Sequence, residues 1–191
     1  MIPIIKEIID YQPVNEQEQK DKESILDYYN YYNQKAFSRS ALQAHFSASC
    51  WIVDETMTHL VVHFHKLYQN WGWLGGHADG DTNLLEVAIK EAKEESGLAN
   101  ITPVSNKFIS LEVLPVHPHI KNGEFVSSHL HMNVTYLFIA SMQDELHFRP
   151  DESCDIRWVP IDDIISLTNE ECMKPIYQKL NDYVKKIRLT R

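Results

Sequence analysis

Three glutamates pose the first chemical question in this chain. Glu91, Glu94 and Glu95 lie in a run from Asp81 to Ser96 without Gly or Pro. Residues three and four apart on a helix are neighbours, at roughly 5–6 Å between Cβ atoms, so three such carboxylates repel one another unless something compensates them. Hard divalent ions such as Mg²⁺ or Mn²⁺ do so, and water and substrate phosphates complete their oxygen shell. Clustering alone also fits a solvated acidic face. However, at about 100° per residue Leu84, Leu85, Ala88, Ile89 and Ala92 form an apolar stripe, and Glu95 points into its edge, where a carboxylate needs a partner.

Histidines pose the second. The chain has 10 of them, and His129 and His131 are two apart, so on a strand both face the same way. His63 and His65 repeat that spacing, His45 opens a β-rich run and His77 follows Gly75 and Gly76. Neutral imidazole is a common ligand for borderline transition metals, which makes His45, His77, His129 and His131 a candidate second metal site. Taken singly, each fits an ordinary hydrogen-bonded or exposed side chain equally well. His117 and His119 stand in a Pro-rich segment that fits either a substrate rim or a polar loop, and Tyr68, Trp71, Trp73 and Phe125 fit either base stacking or packing.

The elements that must position these groups follow from periodicity and punctuation. An amphipathic helix is expected from Asn15 to about Ala36, and strands over Ser47–Val53 and His59–His65 joined through Asp54–Thr58. A Trp-Gly turn at Trp71–Gly76 leads to a helix from about Thr82 to Ser96, with Thr82 or Asp81 as N-cap and Gly97 as the C-terminal stop. Further strands are expected at Lys107–Val113, His131–Ala140 and Cys154–Val159, with a loop from Pro115 to Ser128. A turn and short helix follow at Pro160–Ser166, and a closing amphipathic helix carries Ile176, Leu180, Val184 and a basic tail of Lys185, Lys186, Arg188 and Arg191.

Read from Gly76 to Leu98, GHADGDTNLLEVAIKEAKEESGL resembles the Nudix box: Gly, five residues, Glu, seven residues, then Arg-Glu-apolar-any-Glu-Glu-any-Gly-apolar. Gly76, Glu91, Ala92, Glu94, Glu95, Gly97 and Leu98 fall on it. Thr82 stands in place of the family's first Glu and Lys90 in place of its Arg, a pair that braces the loop in the family. Lys90 is instead placed to pair with Glu86 or Glu94. The run HFSASCWIVD from His45, the Gly75–Gly76 turn and DIRWVPIDDI from Asp155 extend the likeness over about His45 to Ile165.

This resemblance implies an α+β fold with a mixed β-sheet sandwiched between α-helices, and a metal-dependent hydrolase that cleaves the diphosphate linkage of a nucleoside diphosphate joined to another group (nucleotide sugar, ADP-ribose or nucleoside triphosphate type). It implies Glu94 and Glu95 as principal ligands of Mg²⁺ or Mn²⁺, and Glu91 as a third ligand or the group that deprotonates water. Gly75, Gly76, Lys90 and Gly97 are then structural, and Glu152 and Asp155 are weaker candidates for a further base or ligand. The changes at Thr82 and Lys90 keep open a non-catalytic nucleotide-sensing module. The histidine set is similar to that of the isopentenyl-diphosphate isomerase branch of the superfold, whose metal is held by a first-strand His, a His after the box glycine and an acidic pair. The isomerase's catalytic Cys falls here on Gly75, which disfavours that reaction.

Composition bounds the rest. At 191 residues with 43% hydrophobic content the chain is expected to form one domain over 45–168, with an N-terminal helical extension over 1–44 and a C-terminal helix over 169–191. A net charge of −9 argues against nucleic acid as a partner and leaves a small phosphorylated molecule held through metal. The terminal helices are candidates for either a homodimer contact or packing on the domain. Cys50, Cys154 and Cys172 lack the spacing of a zinc or redox motif and read as free thiols. No stretch reads as a signal peptide or membrane span, so a cytoplasmic location is expected.

Overall fold

The structure, a computed structural model, describes residues 1–121 and 123–190; Arg191 of the basic tail lies outside them. It opens with a short helix, α1 (Pro3–Asp10), that starts on a proline at its first turn and buries Ile4, Ile5 and Ile8. Helix α2 (Glu16–Tyr32) follows, with the Asn15 side chain accepting a hydrogen bond from the Glu18 N–H as N-cap. A 3₁₀ turn over Asn33–Phe37 then closes what the periodicity suggests is one helix to Ala36. Tyr32 and Asn33 break it, the latter at a positive φ of 50°.

Strand β1 (Ala44–Val53) is buried along its whole length and organises the sheet. It pairs antiparallel with β2 (His59–His65) across a turn in which Asp54 Oδ1 accepts from the Thr58 and His59 backbone N–H groups at 2.7 and 2.6 Å. The Trp-Gly turn is two short strands, β3 (Asn70–Gly72) on β2 and β4 (Leu74–His77) on β1. Helix α3 (Leu84–Ser96) comes next. Its N-cap is Asn83 rather than Thr82 or Asp81: Asn83 Oδ1 faces the Glu86 N–H, while Asp81 caps the Asn83 N–H one step earlier. Gly97 ends the helix at φ 72°, a left-handed conformation suited to glycine.

Beyond it, β5 (Ile101–Pro103) and β6 (Ser110–Val116) pair antiparallel with β9 (His129–Ala140). The expected loop from Pro115 to Ser128 instead contains the end of β6 and a hairpin of β7 (His119–Lys121) and β8 (Glu124–Val126), which turns through Gly123 at φ 83°. Pro and Gly punctuation hid strands this short. β10 (Ser153–Pro160) pairs with β2, and a 3₁₀ turn leads to α4 (Ile164–Leu167) and α5 (Lys174–Arg188).

The sheet is mixed, in the order β10-β2-β1-β9-β5, with β1 and β9 parallel over ten residue pairs. Alternation along β1 serves two cores. Phe46, Ala48, Cys50 and Ile52 join a cluster with Ile4, Ile8 and Ile25 of the first two helices and Leu84, Ala88 and Ala92 of α3. Trp51 and Val53 join another with Ile164 of α4 and Ile176, Tyr177, Leu180 and Val184 of α5. Helices thus cover both faces, and the apolar sides of the terminal helices are spent on the chain's own sheet. Lys179 of α5 ties the layers together, reaching Glu18 of α2 at 2.7 Å and Glu112 of β6 at 2.8 Å, both fully buried. No described helix is long and apolar enough to cross a membrane.

Candidate functional site

Helix α3 lies against the end of β4, and the Gly-Gly pair lets it come close. A Cβ on Gly76 would sit 2.7 Å from both carboxylate oxygens of Glu91, so the Glu91 head is seated directly over the Gly76 backbone. A Cβ on Gly75 would strike β1 instead, 2.5 Å from the Ala48 carbonyl oxygen and 2.7 Å from Ser49 Cα. Bare backbone is required at Gly75 for β4 to lie against β1, and at Gly76 for the Glu91 head to take its seat.

One turn along α3, Glu95 is buried at 3% exposure, and its Oε2 accepts a hydrogen bond from the Gly75 N–H at 2.8 Å. Burial pushes the Glu95 carboxyl well above its usual value; that one N–H pulls it down, and the charges of Glu91 and Glu152 raise it further. Burial likewise raises Glu91, with Lys90 opposing and Glu94 and Glu152 reinforcing the shift. Among the described residues neither Glu91 nor Glu95 has an ion-pair partner. Glu94 is exposed and shared between Lys90 at 3.8 Å and Arg149 at 3.6 Å. Lys90 therefore takes the Glu94 option of the two pairings open to it.

Glu152 enters the site from the turn before β10, with Arg149 Nη1 3.8 Å from it and Lys121 3.7 Å away. Asp155 is exposed on β10 beyond a bulge and has no side-chain hydrogen bond or ion pair among the described residues. The two weaker acidic candidates thus separate, one in the cluster and one outside it. Arg149 was not anticipated from the sequence. Its only local signal is its position three residues before Glu152, and its contact with Glu94 depends on how the 149–152 turn folds back on α3.

A cleft of about 400 Å³ runs from Glu91, Lys90 and Glu86 across Asp81 and Asp79 to His77. Its floor loop is held from outside the box. Arg39 grips Asp79 with two hydrogen bonds of 2.6 Å, and the Gly80 N–H donates to the Phe37 carbonyl at 2.8 Å. A bidentate Arg–carboxylate pair thus braces this loop although Thr82 and Lys90 cannot form one.

The four singled-out histidines come together. His45 of β1 is in register with His131 of β9, and Ser47, two residues on from His45, is in register with His77 of β4. The alternation of strands therefore turns His45, His77, His129 and His131 to one side of the sheet, and each offers a ring nitrogen within 4.8 Å of the others. Gly76 faces α3, so this cluster and the glutamates lie on opposite faces at the end of β4. Burial, then the neighbouring imidazoles, push His77 down to about 3 and His131 to about 2, keeping the rings neutral. His63 and His65 lie elsewhere on β2, where Ser153 Oγ is 2.8 Å from His63 Nδ1. Trp73 packs against Trp51 and Tyr177, and Arg157 covers Trp71 at 4.0 Å, so both tryptophans serve packing, while Phe125 is 70% exposed on the β7–β8 hairpin.

The sequence profile of the NUDIX domain matches residues 43–180. Curated protein sequences give no match. Among solved structures, the chain is similar to a C. elegans Ap4A hydrolase in a binary complex, at 16% identity and a TM-score of 0.55 over 74% of this chain and 98% of that one. The E. coli dihydroneopterin triphosphate pyrophosphohydrolase superposes with a TM-score of 0.53 at 12% identity, over 70% of this chain and 92% of that one. A Nudix hydrolase from M. smegmatis, RenU, gives 0.53 at 16% identity, over 75% and 87%. At these identities the likeness is one of fold, a mixed sheet between helices.

Proposed function

The chain belongs to the NUDIX domain family of hydrolases, and from that premise we propose that it cleaves the diphosphate linkage of a nucleoside diphosphate joined to another group. The observation that carries this reading is the Glu95 carboxylate: buried beside Glu91, hydrogen-bonded to the Gly75 N–H and in side-chain contact with Glu152, with no cationic partner among the described residues. A cluster of that sign wants a cation, and its all-oxygen donor set fits Mg²⁺ or Mn²⁺ rather than a softer metal. Glu91, Glu94 and Glu95 would hold it. When bound, such an ion supplies neutralisation of the diphosphate charge and a lowered pKa for an attacking water.

The chain's own residues account for the rest. Glu91, seated on Gly76 at the cleft wall, orients the water and accepts its proton on a carboxylate oxygen, a role suited to a carboxyl raised from its usual range. Glu94 is the carboxylate through which Lys90 and Arg149 are drawn to the same place, and both cations are positioned to meet phosphate oxygens. The cleft volume of about 400 Å³ is that of a small-molecule site.

A panel of nucleotide sugars, ADP-ribose and nucleoside triphosphates incubated with Mg²⁺ or Mn²⁺, with phosphate read after phosphatase coupling, tests the reading. Metal-dependent turnover of at least one compound is expected, and Glu94→Gln should lower kcat by at least about 100-fold. No turnover across the panel by folded protein removes the hydrolase reading. An unchanged Glu94→Gln rate removes the carboxylates from it.

A further inference from the structure

His45, His77, His129 and His131 come from three strands, and strand register alone brings them together. Their ring centroids stand 4.8–5.2 Å apart for His45–His129, His77–His131, His45–His77, His45–His131 and His129–His131. A packing role for four imidazoles does not explain their nitrogens. Among the described residues, Nε2 of His45 and Nε2 of His131 are buried with no hydrogen-bond partner, and an orphaned buried polar atom is uncommon in a folded protein. His45 itself is 4% exposed. Two of the outward nitrogens have partners: Nδ1 of His129 is 2.9 Å from the Ser127 carbonyl and Nδ1 of His45 is 3.4 Å from that of Ala41. A carbonyl at Nδ1 selects the tautomer with its proton there and turns the Nε2 lone pair inward, as in metal-ligating histidines.

We propose that His45, His77, His129 and His131 form a binding site for one divalent transition-metal ion of the zinc class, separate from Glu91, Glu94 and Glu95. The donor set decides the class. Four neutral nitrogens suit zinc and its neighbours in the first transition row and give nothing to Mg²⁺, which requires oxygen. The dimensions agree. Bond lengths of about 2.0–2.1 Å put tetrahedral ligand nitrogens about 3.4 Å apart, and the four nitrogens, already within 4.8 Å of one another, reach that by small ring rotations. The inference does not depend on the hydrolase reading, since none of Glu91, Glu94 and Glu95 takes part in it, although His77 also borders the cleft.

The test uses the full chain without an affinity tag, stripped with a chelator and titrated with Co²⁺ in excess Mg²⁺, which keeps the carboxylates occupied. Visible absorption reports Co²⁺ ligation, and Zn²⁺ competition gives the zinc affinity. One Co²⁺ per chain displaced by Zn²⁺ is expected, with Glu94→Gln unchanged. His129→Ala, at a partly exposed position that spares the core, and His131→Asn should each weaken binding by at least about 100-fold, since disturbing only a ligand's outer partner already costs about 10–100-fold. Circular dichroism checks that both variants fold. Absence of stoichiometric Co²⁺ or Zn²⁺ binding overturns the site, as does binding that survives both histidine variants or is lost in Glu94→Gln.

Discussion

Gly76→Ala isolates the seating of Glu91 from the fold around it. The new Cβ would lie 2.4 Å from Glu91 Cδ and 2.7 Å from each of its carboxylate oxygens, where ordinary contact begins at 3.4 Å, so the carboxylate must retreat by about 1 Å. The obstacle is the end of a side chain, so strand and helix can stay in place while the head group moves. Misplacing a reacting group by about 1 Å costs on the order of 100-fold in rate. A retreat of that size should therefore lower kcat by about 100-fold, or about 2.7 kcal/mol on the barrier, with a Tm close to that of the parent. The assay is steady-state turnover of the best compound from the substrate panel, paired with thermal unfolding. A kcat within about threefold of the parent in a variant of unchanged Tm would refute the claim that Glu91 acts from that seat. Gly75→Ala provides the contrast. Its Cβ meets the Ala48 carbonyl and Ser49 Cα, which are β1 backbone and cannot yield, so there the loss should appear in Tm first.

Other consequences follow from the charges. Lys179→Met leaves Glu18 and Glu112 facing each other in the interior, and breaking a buried pair costs about 3–5 kcal/mol. At about 2–4 °C per kcal/mol for a chain of this size, a Tm drop of about 6–20 °C is expected at neutral pH, and a drop under about 3 °C would contradict it. Arg39→Ala removes a half-exposed brace, so stability should change by no more than about 1 kcal/mol, while KM rises severalfold as the Asp79 loop loosens; an unchanged KM would show that the cleft floor holds without it. Burial beside His65 pushes His63 from 6.5 down to about 4. The unfolded chain thus takes up the proton first, and the stability present above pH 6.5 is lost as pH falls towards 4, by roughly 3 kcal/mol from this residue. Urea unfolding of His63→Gln should show a shallower acid fall than the parent, and parallel curves would assign the loss elsewhere.

Sequence and structure divide the explanation of this protein by range. Periodicity placed α3 on its apolar stripe, Gly97 was legible as its stop because a left-handed cap needs no Cβ, and the register of Glu91, Glu94 and Glu95 carried the family. Spacing also singled out the four histidines, since a two-residue step on a strand keeps one face. These are local facts, set by residues within one or two turns of each other. The N-cap slipped from Thr82 or Asp81 to Asn83 because adjacent polar residues compete for the same backbone N–H groups. Helix α1 was missed although Ile4, Ile5 and Ile8 share one helical face, because its turns are few; it packs on α2 and joins the core there. Other features were decided only by the tertiary structure: Glu152 rather than Asp155 joining the carboxylates, Arg149 reaching Glu94, and Arg39 supplying the brace that Thr82 and Lys90 cannot. Each is a pairing of residues far apart in sequence or at a turn, where side-chain direction depends on how loops close over the sheet. The chemistry of each residue type was present in the sequence, but which charges face each other depends on strand register and loop closure.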